Sequence, residues 1–188
     1  RIEKEKEAEN IRSTISRDIH DEVGSTLSGV ALFSEIAKQK MKEHNEADVN
    51  AYLEHISANS KEMVQKMSDI VWAINPENDS FGRIMSKLQS MAMNLCAGKN
   101  IRLHTNIDKD LLNDHPEMHA RKNLYLFLKE ALNNAVKYSG GKNLFFSLKK
   151  NDETIVAEIR DDGKGFDRQT YGGGNGLNNM RTRANELN

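Results

Sequence analysis

From Glu3 to about Glu43 the chain holds no proline, and apolar residues recur at Ile11, Ile15, Ile19, Val23, Leu27, Val30, Phe33, Ala37 and Met41. Steps of three and four residues mark one face of an amphipathic helix, roughly 60 Å long if unbroken. His44 to Asp48 reads as a turn, with Asp48 a candidate N-cap for a second helix over Val49 to Ile74. Its seam runs Ile56, Ser60, Met63, Met67, Ile70, Ile74, the alternating steps of a coiled coil, and Tyr52, Leu53, Val64 and Val71 widen it. Two helices cannot cover stripes this wide on each other alone. Pairing of two hairpins into a dimeric four-helix bundle is the economical solution.

Asn75-Pro76-Glu77-Asn78-Asp79 stops the second helix and marks a boundary. A mobile hinge is expected near Asn75 to Ser80 because the candidate groups of the two halves, about 110 residues apart, must dock to react. Ser80 is placed to cap a third helix, Phe81 to Ala97, which Gly98 would close. Ile101 to Asn106 alternates like a strand, a helix follows Pro116 and runs to Tyr138, and two strands, Asn143 to Lys149 and Thr154 to Arg160, flank a turn at Asn151-Asp152-Glu153. A glycine-rich loop from Asp161 to Asn175 leads into a last helix at Gly176. The expected organisation is a helical hairpin over 1–76 and an α/β sandwich over 77–188, with no internal repeat.

With 188 residues, 27 Lys+Arg against 28 Asp+Glu and a formal charge of −1, there is no basic excess of the kind nucleic-acid binding needs. The single cysteine, Cys96, excludes an internal disulfide and fits a reducing compartment. No apolar run is long enough to cross a bilayer, so any membrane attachment is expected only through an upstream segment. The chain opens on Arg1-Ile2-Glu3-Lys4 and is expected to be a soluble piece of a longer protein.

Candidate chemistry sits first at Asp18-Ile19-His20-Asp21-Glu22-Val23-Gly24. A glycine inside a helix costs about 1 kcal/mol relative to alanine. Residues at i and i+4 share a face, so Gly24 clears space beside the His20 imidazole, a candidate nucleophile. The second constellation is downstream. Glu130-x-x-x-Asn134-x-x-Lys137-Tyr138 places Glu130 and Asn134, then Asn134 and Tyr138, on one helix face. Asn134 offers an oxygen suited to Mg²⁺, and Lys137 a mobile charge for a phosphate. Asp161-x-Gly163-x-Gly165 and Gly174-x-Gly176-Leu177 supply close backbone approach and a helix N-terminus, features of a phosphate cradle. The sequence contains neither a P-loop nor a dinucleotide fingerprint.

Together these stretches resemble a sensor histidine kinase. His20-Asp21-x-x-Gly24 is similar to the phosphoacceptor motif of the H-D-x-x-G subfamily, and the three downstream stretches, with Asn179-Met180-x-x-Arg183-Ala184, resemble the boxes of the GHKL (Bergerat-type) ATP-binding fold. The resemblance spans nearly the whole chain in the right order.

That resemblance implies ATP with Mg²⁺ as cofactors. It implies His20 as the group attacking the γ-phosphoryl, Asp21 orienting its ring, and Glu130 as a further catalytic residue. Asn134 would ligate Mg²⁺, Asp161 would accept a hydrogen bond from the adenine amino group, and Lys137 with the amides of Gly163, Gly165, Gly174, Gly176 and Leu177 would hold the nucleotide. Tyr138 would line its pocket. A homodimer and the receiver domain of a response regulator are the implied partners. Two departures stand out. The family's phosphatase activity uses Gln or His four positions after the acidic residue, where this chain has Ser25, and its sheet carries at least one more strand, so the fold is expected to be C-terminally incomplete. Two other readings remain open: a non-catalytic dimeric scaffold with a degenerate nucleotide fold, and another GHKL ATPase or serine kinase.

Overall fold

The computed structural model describes residues 23–24, 26–152, 154–165 and 176–187. They form two compact units that divide between Trp72 and Ala73.

The first unit is a helical hairpin of α1 (26–42) and most of α2 (Glu46–Ile74). Its helices pack antiparallel: the Phe33 ring lies 5.2 Å from His55 and 6.0 Å from Tyr52, and a Cβ on Gly29 would stand 3.2 Å from Asn59 Nδ2. The turn is tighter than expected, because Asn45 and not Asp48 is the cap. Asp48 N–H donates to Asn45 Oδ1 at 3.2 Å while Asn45 Nδ2 donates to Asp48 Oδ2 at 2.9 Å, a reciprocal box that starts α2 three residues early. His44 takes the left-handed conformation, φ 57°, that the reversal needs. Leu27, Leu32, Met41, Leu53, Val64 and Val71 remain at least half exposed along the hairpin.

The second unit has three helices beside a three-stranded sheet. The order is α3 (Phe81–Ala97), β1 (Arg102–Ile107), α4 (Met118–Tyr138), β2 (Asn143–Asn151), β3 (Thr154–Asp161) and α5 (Gly176–Asn185). Strand β2 is central, parallel to β1 and antiparallel to β3, with Phe146 opposite Ile159. Alternation along β2 sends Leu144, Phe146 and Leu148 into the core. There they join Ile84, Met85 and Leu88 of α3 and Tyr125, Leu128 and Leu132 of α4. On the other face His104 stacks on Phe145 at 4.7 Å and the Arg160 guanidinium lies 4.5 Å from the same ring.

Ser80 caps α3 as expected, accepting from Arg83 N–H. Gly98 does not supply the left-handed stop: its φ is −65°, and Asn100, φ 54°, turns the chain so that Ile101 N–H reaches Cys96 O at 2.9 Å. The segment expected as a hinge carries a 3₁₀ turn, Pro76–Asn78, started by Asn75. It is tied into the second unit. Arg121 of α4, itself buried, donates from Nε to Ala73 O at 2.8 Å and from its guanidinium to Ile74 O at 3.3 Å, satisfying the carbonyls that a helix end leaves free. Phe81 N–H donates to Asp114 O at 2.9 Å, and the His115 ring lies 3.1 Å from Asp79.

Candidate functional site

The C-terminal half of α4 gathers the downstream motifs. Glu130 and Asn134 lie one turn apart, half-buried, and Asn134 Nδ2 donates to Glu130 Oε1 at 3.1 Å. That bond engages the amide nitrogen and fixes the side chain, leaving Oδ1 as the atom able to meet a cation. The first residue of α5 rests against this pair. A Cβ on Gly176 would fall 2.6 Å from Glu130 Oε1 and 3.9 Å from Asn134 Nδ2, so the α5 backbone stands against this pair and a side chain there would push the Glu130 carboxylate aside. Leu177 follows in the first turn, half-buried.

At the end of α4, Lys137 stands with Nζ 5.0 Å from the centre of the Tyr138 ring, and Tyr138 is 49% exposed. Gly140, φ 66°, ends the helix in the left-handed conformation. The loop after β3 then meets this helix end. Lys164 N–H donates to Ser139 O at 3.0 Å, and a Cβ on Gly163 would collide with that same carbonyl oxygen. Asp161, half-buried at the end of β3, accepts Gly163 N–H on Oδ1 at 2.9 Å, an Asx turn that aims the loop. Gly165 follows with φ 64° and open space around it.

The geometry gives the adjacent Asp162 a separate task. Asp162 is a structural tie: its carboxylate accepts Lys142 N–H at 2.7 Å, Asn143 N–H at 2.8 Å and Asn143 Nδ2 at 2.7 Å. Those bonds, with the Asn143 side chain first, hold its pKa at about 2. The signal available in the sequence was that a strand end often needs a carboxylate for its first free N–H groups.

Glu130, Asn134, Lys137, Tyr138, Asp161, Gly163, Gly165, Gly176 and Leu177 thus lie around one helix end, although 47 residues of sequence separate the first from the last. His20, Asp21 and Gly174 lie outside the described residues. An open cleft of about 630 Å³ between α3 and β1, lined by Gln89, Met93, Cys96 and Leu103 among others, contains none of the motif residues. The described residues contain no cluster of metal-binding side chains and no helix long and apolar enough to cross a membrane.

A family model described as "Histidine kinase" matches residues 12–79, the span that includes His20-Asp21-x-x-Gly24. The oxygen sensor histidine kinase NreB of Staphylococcus carnosus is 28% identical over 186 residues, which is 96% of this chain and 51% of that protein. Along nearly its whole length the chain is thus similar to sensor histidine kinases. A second relative, the signal transduction histidine-protein kinase/phosphatase UhpB of Salmonella typhimurium, is 24% identical over 95% of this chain and 35% of its own length. The chain spans about half, or less, of the curated relatives it matches. Among solved structures, the histidine kinase AdeS of Acinetobacter baumannii aligns with a TM-score of 0.55 at 14% identity, covering 82% of each chain, a likeness of fold.

Proposed function

We propose that this chain is the core of an ATP-dependent protein-histidine kinase that phosphorylates itself on His20 and passes the phosphoryl group to an aspartate of a response regulator. The observation that carries the reading is the meeting of Gly176 with the Glu130–Asn134 pair at the same helix end where Gly163 meets Ser139. Nothing in ordinary packing calls for two such backbone approaches at one rim. A polyanionic ligand does, because bare N–H groups can then come within reach of its oxygens.

The residues present suit that ligand. Asn134 Oδ1 and the Glu130 carboxylate are hard oxygen donors of the type Mg²⁺ prefers, and the ion would neutralise phosphate charge there. The α5 N-terminus brings free amides and the positive end of its dipole. Lys137 adds a cation, Tyr138 an exposed ring at the rim, and Asp161 a carboxylate at the strand end, an acceptor for an adenine amino group. The amides of Gly163, Gly165 and Gly174 would hold the nucleotide, giving the second unit the role of a GHKL catalytic domain.

In the transfer, a lone pair on a His20 ring nitrogen attacks the γ-phosphorus as the bond to the β-bridging oxygen breaks. ADP departs with that electron pair, and the other ring N–H proton is taken up by Asp21. Positioning and charge neutralisation account for most of the acceleration in such a step. The apolar residues left exposed on the hairpin support a homodimer, two hairpins forming a four-helix bundle. Within the longer protein the core would act on the cytoplasmic side of a membrane.

Incubation with γ-labelled ATP tests the reading. The expected product carries acid-labile, base-stable phosphate that disappears in His20→Gln. Acid-stable label, or label retained in His20→Gln, refutes it.

A further inference from the structure

Helix α5 carries Gly176 to the Glu130–Asn134 pair, yet none of its own residues is buried. Burial of side chains, the usual anchor of a surface helix, is therefore weak here. Its far end is held differently. Glu186, one residue past the helix, accepts a hydrogen bond from Asn123 Nδ2 of α4 at 2.8 Å, and His119 Nε2 lies 3.9 Å from the same carboxylate oxygen. Asn123 is fully buried, and its Oδ1 has no hydrogen-bond partner among the described residues. A buried amide with an unpaired oxygen lowers stability, so an apolar side chain would suit the core better. What the amide provides, and an apolar residue cannot, is the bond to Glu186.

The two ends match in length. From Gly176 to Glu186, and from Asn123 to Asn134, a helix rises about 15 Å in each case. Antiparallel to α4, α5 is thus fixed at one end by Asn123 and delivers its other end to Asn134. A short helix is a stiff rod, so slack at Glu186 reappears as displacement of the Gly176 amides.

We propose that Asn123 and Glu186 form a clasp that positions α5 for nucleotide binding, a role that rests on the reading of the site given above. Neither residue touches the nucleotide; both act through α5.

The test titrates Mg-ATP into the full chain and its Glu186→Ala and Glu186→Gln variants, alongside amide hydrogen exchange over Gly176–Asn185. Glu186 is largely exposed, so its truncation leaves the core packed. Loss of one hydrogen bond should weaken Mg-ATP binding about five-fold and speed exchange in α5, while Glu186→Gln, which still accepts from Asn123, stays within about two-fold of wild type. Affinity and exchange unchanged in Glu186→Ala, or Gln as impaired as Ala, overturn the clasp. Wild-type protein that ignores Mg-ATP overturns the nucleotide reading itself.

Discussion

Replacing Gly163 by alanine puts one methyl group where the structure has no room for it. The added Cβ would sit 2.6 Å from the Ser139 carbonyl carbon and 2.7 Å from Ser139 Cβ, and closer still to the carbonyl oxygen. Those atoms are mostly backbone at the end of α4, where Ser139 N–H is bonded to Ala135 O, so they cannot swing aside as a side chain would. Either the loop lifts and loses the Lys164–Ser139 and Gly163–Asp161 hydrogen bonds, or the helix end unwinds. Overpacking of this kind costs about 1–3 kcal/mol, which for a domain near a hundred residues lowers the melting temperature by roughly 4–12 °C. Gly165→Ala is the matched control. That position has open space but φ 64°, so its penalty is the left-handed backbone alone, about 1 kcal/mol. Calorimetry on the two variants, followed by Mg-ATP titration, should rank Gly163→Ala as the more damaging in both. If Gly165→Ala proves the worse, or Gly163→Ala melts like wild type, the close approach of loop and helix is wrong.

Two further outcomes follow from the ties around this site. Arg121→Ala removes both hydrogen bonds to the α2 terminus and should cost roughly 2–4 kcal/mol in urea denaturation of the second unit, with Arg121→Lys recovering little because one ammonium cannot reproduce the fork; an unchanged midpoint counts against that tie. Asp162, held at about 2, contributes stability that is complete above about pH 4 and is lost as pH falls through its folded value. Circular dichroism against pH should therefore show wild type losing stability between about pH 4 and 2 and Asp162→Asn showing a flatter profile there; superimposable curves would remove the assignment.

The sequence located the described α-helices and strands, through amphipathic stripes in the hairpin, alternation in the strands, and caps, proline and glycine elsewhere, but neither 3₁₀ turn. Ends were harder to read. Asn45 displaced Asp48 as a cap since a reciprocal side-chain box depends on geometry that a single residue type does not encode, and Asn100 displaced Gly98 since asparagine also tolerates a left-handed backbone. The partners that hold Ala73 to Phe81, namely Asp114, His115 and Arg121, are distant in sequence and carried no local signal. The motif residues on α4 and in the loops were legible as a set. Asn123 and Glu186 were not, because their pairing spans 63 residues and belongs to no motif.

Cys96 gives the molecule a natural stopwatch. It is the chain's only thiol, it lies on α3 with 2% of its surface accessible, and burial pushes its pKa up, so a thiol reagent must wait for the surrounding packing to part. The labelling rate thus clocks openings of the sheet-bearing half and is blind to events confined to the cysteine-free hairpin, which lets the endurance of one half be timed without cutting it from the other.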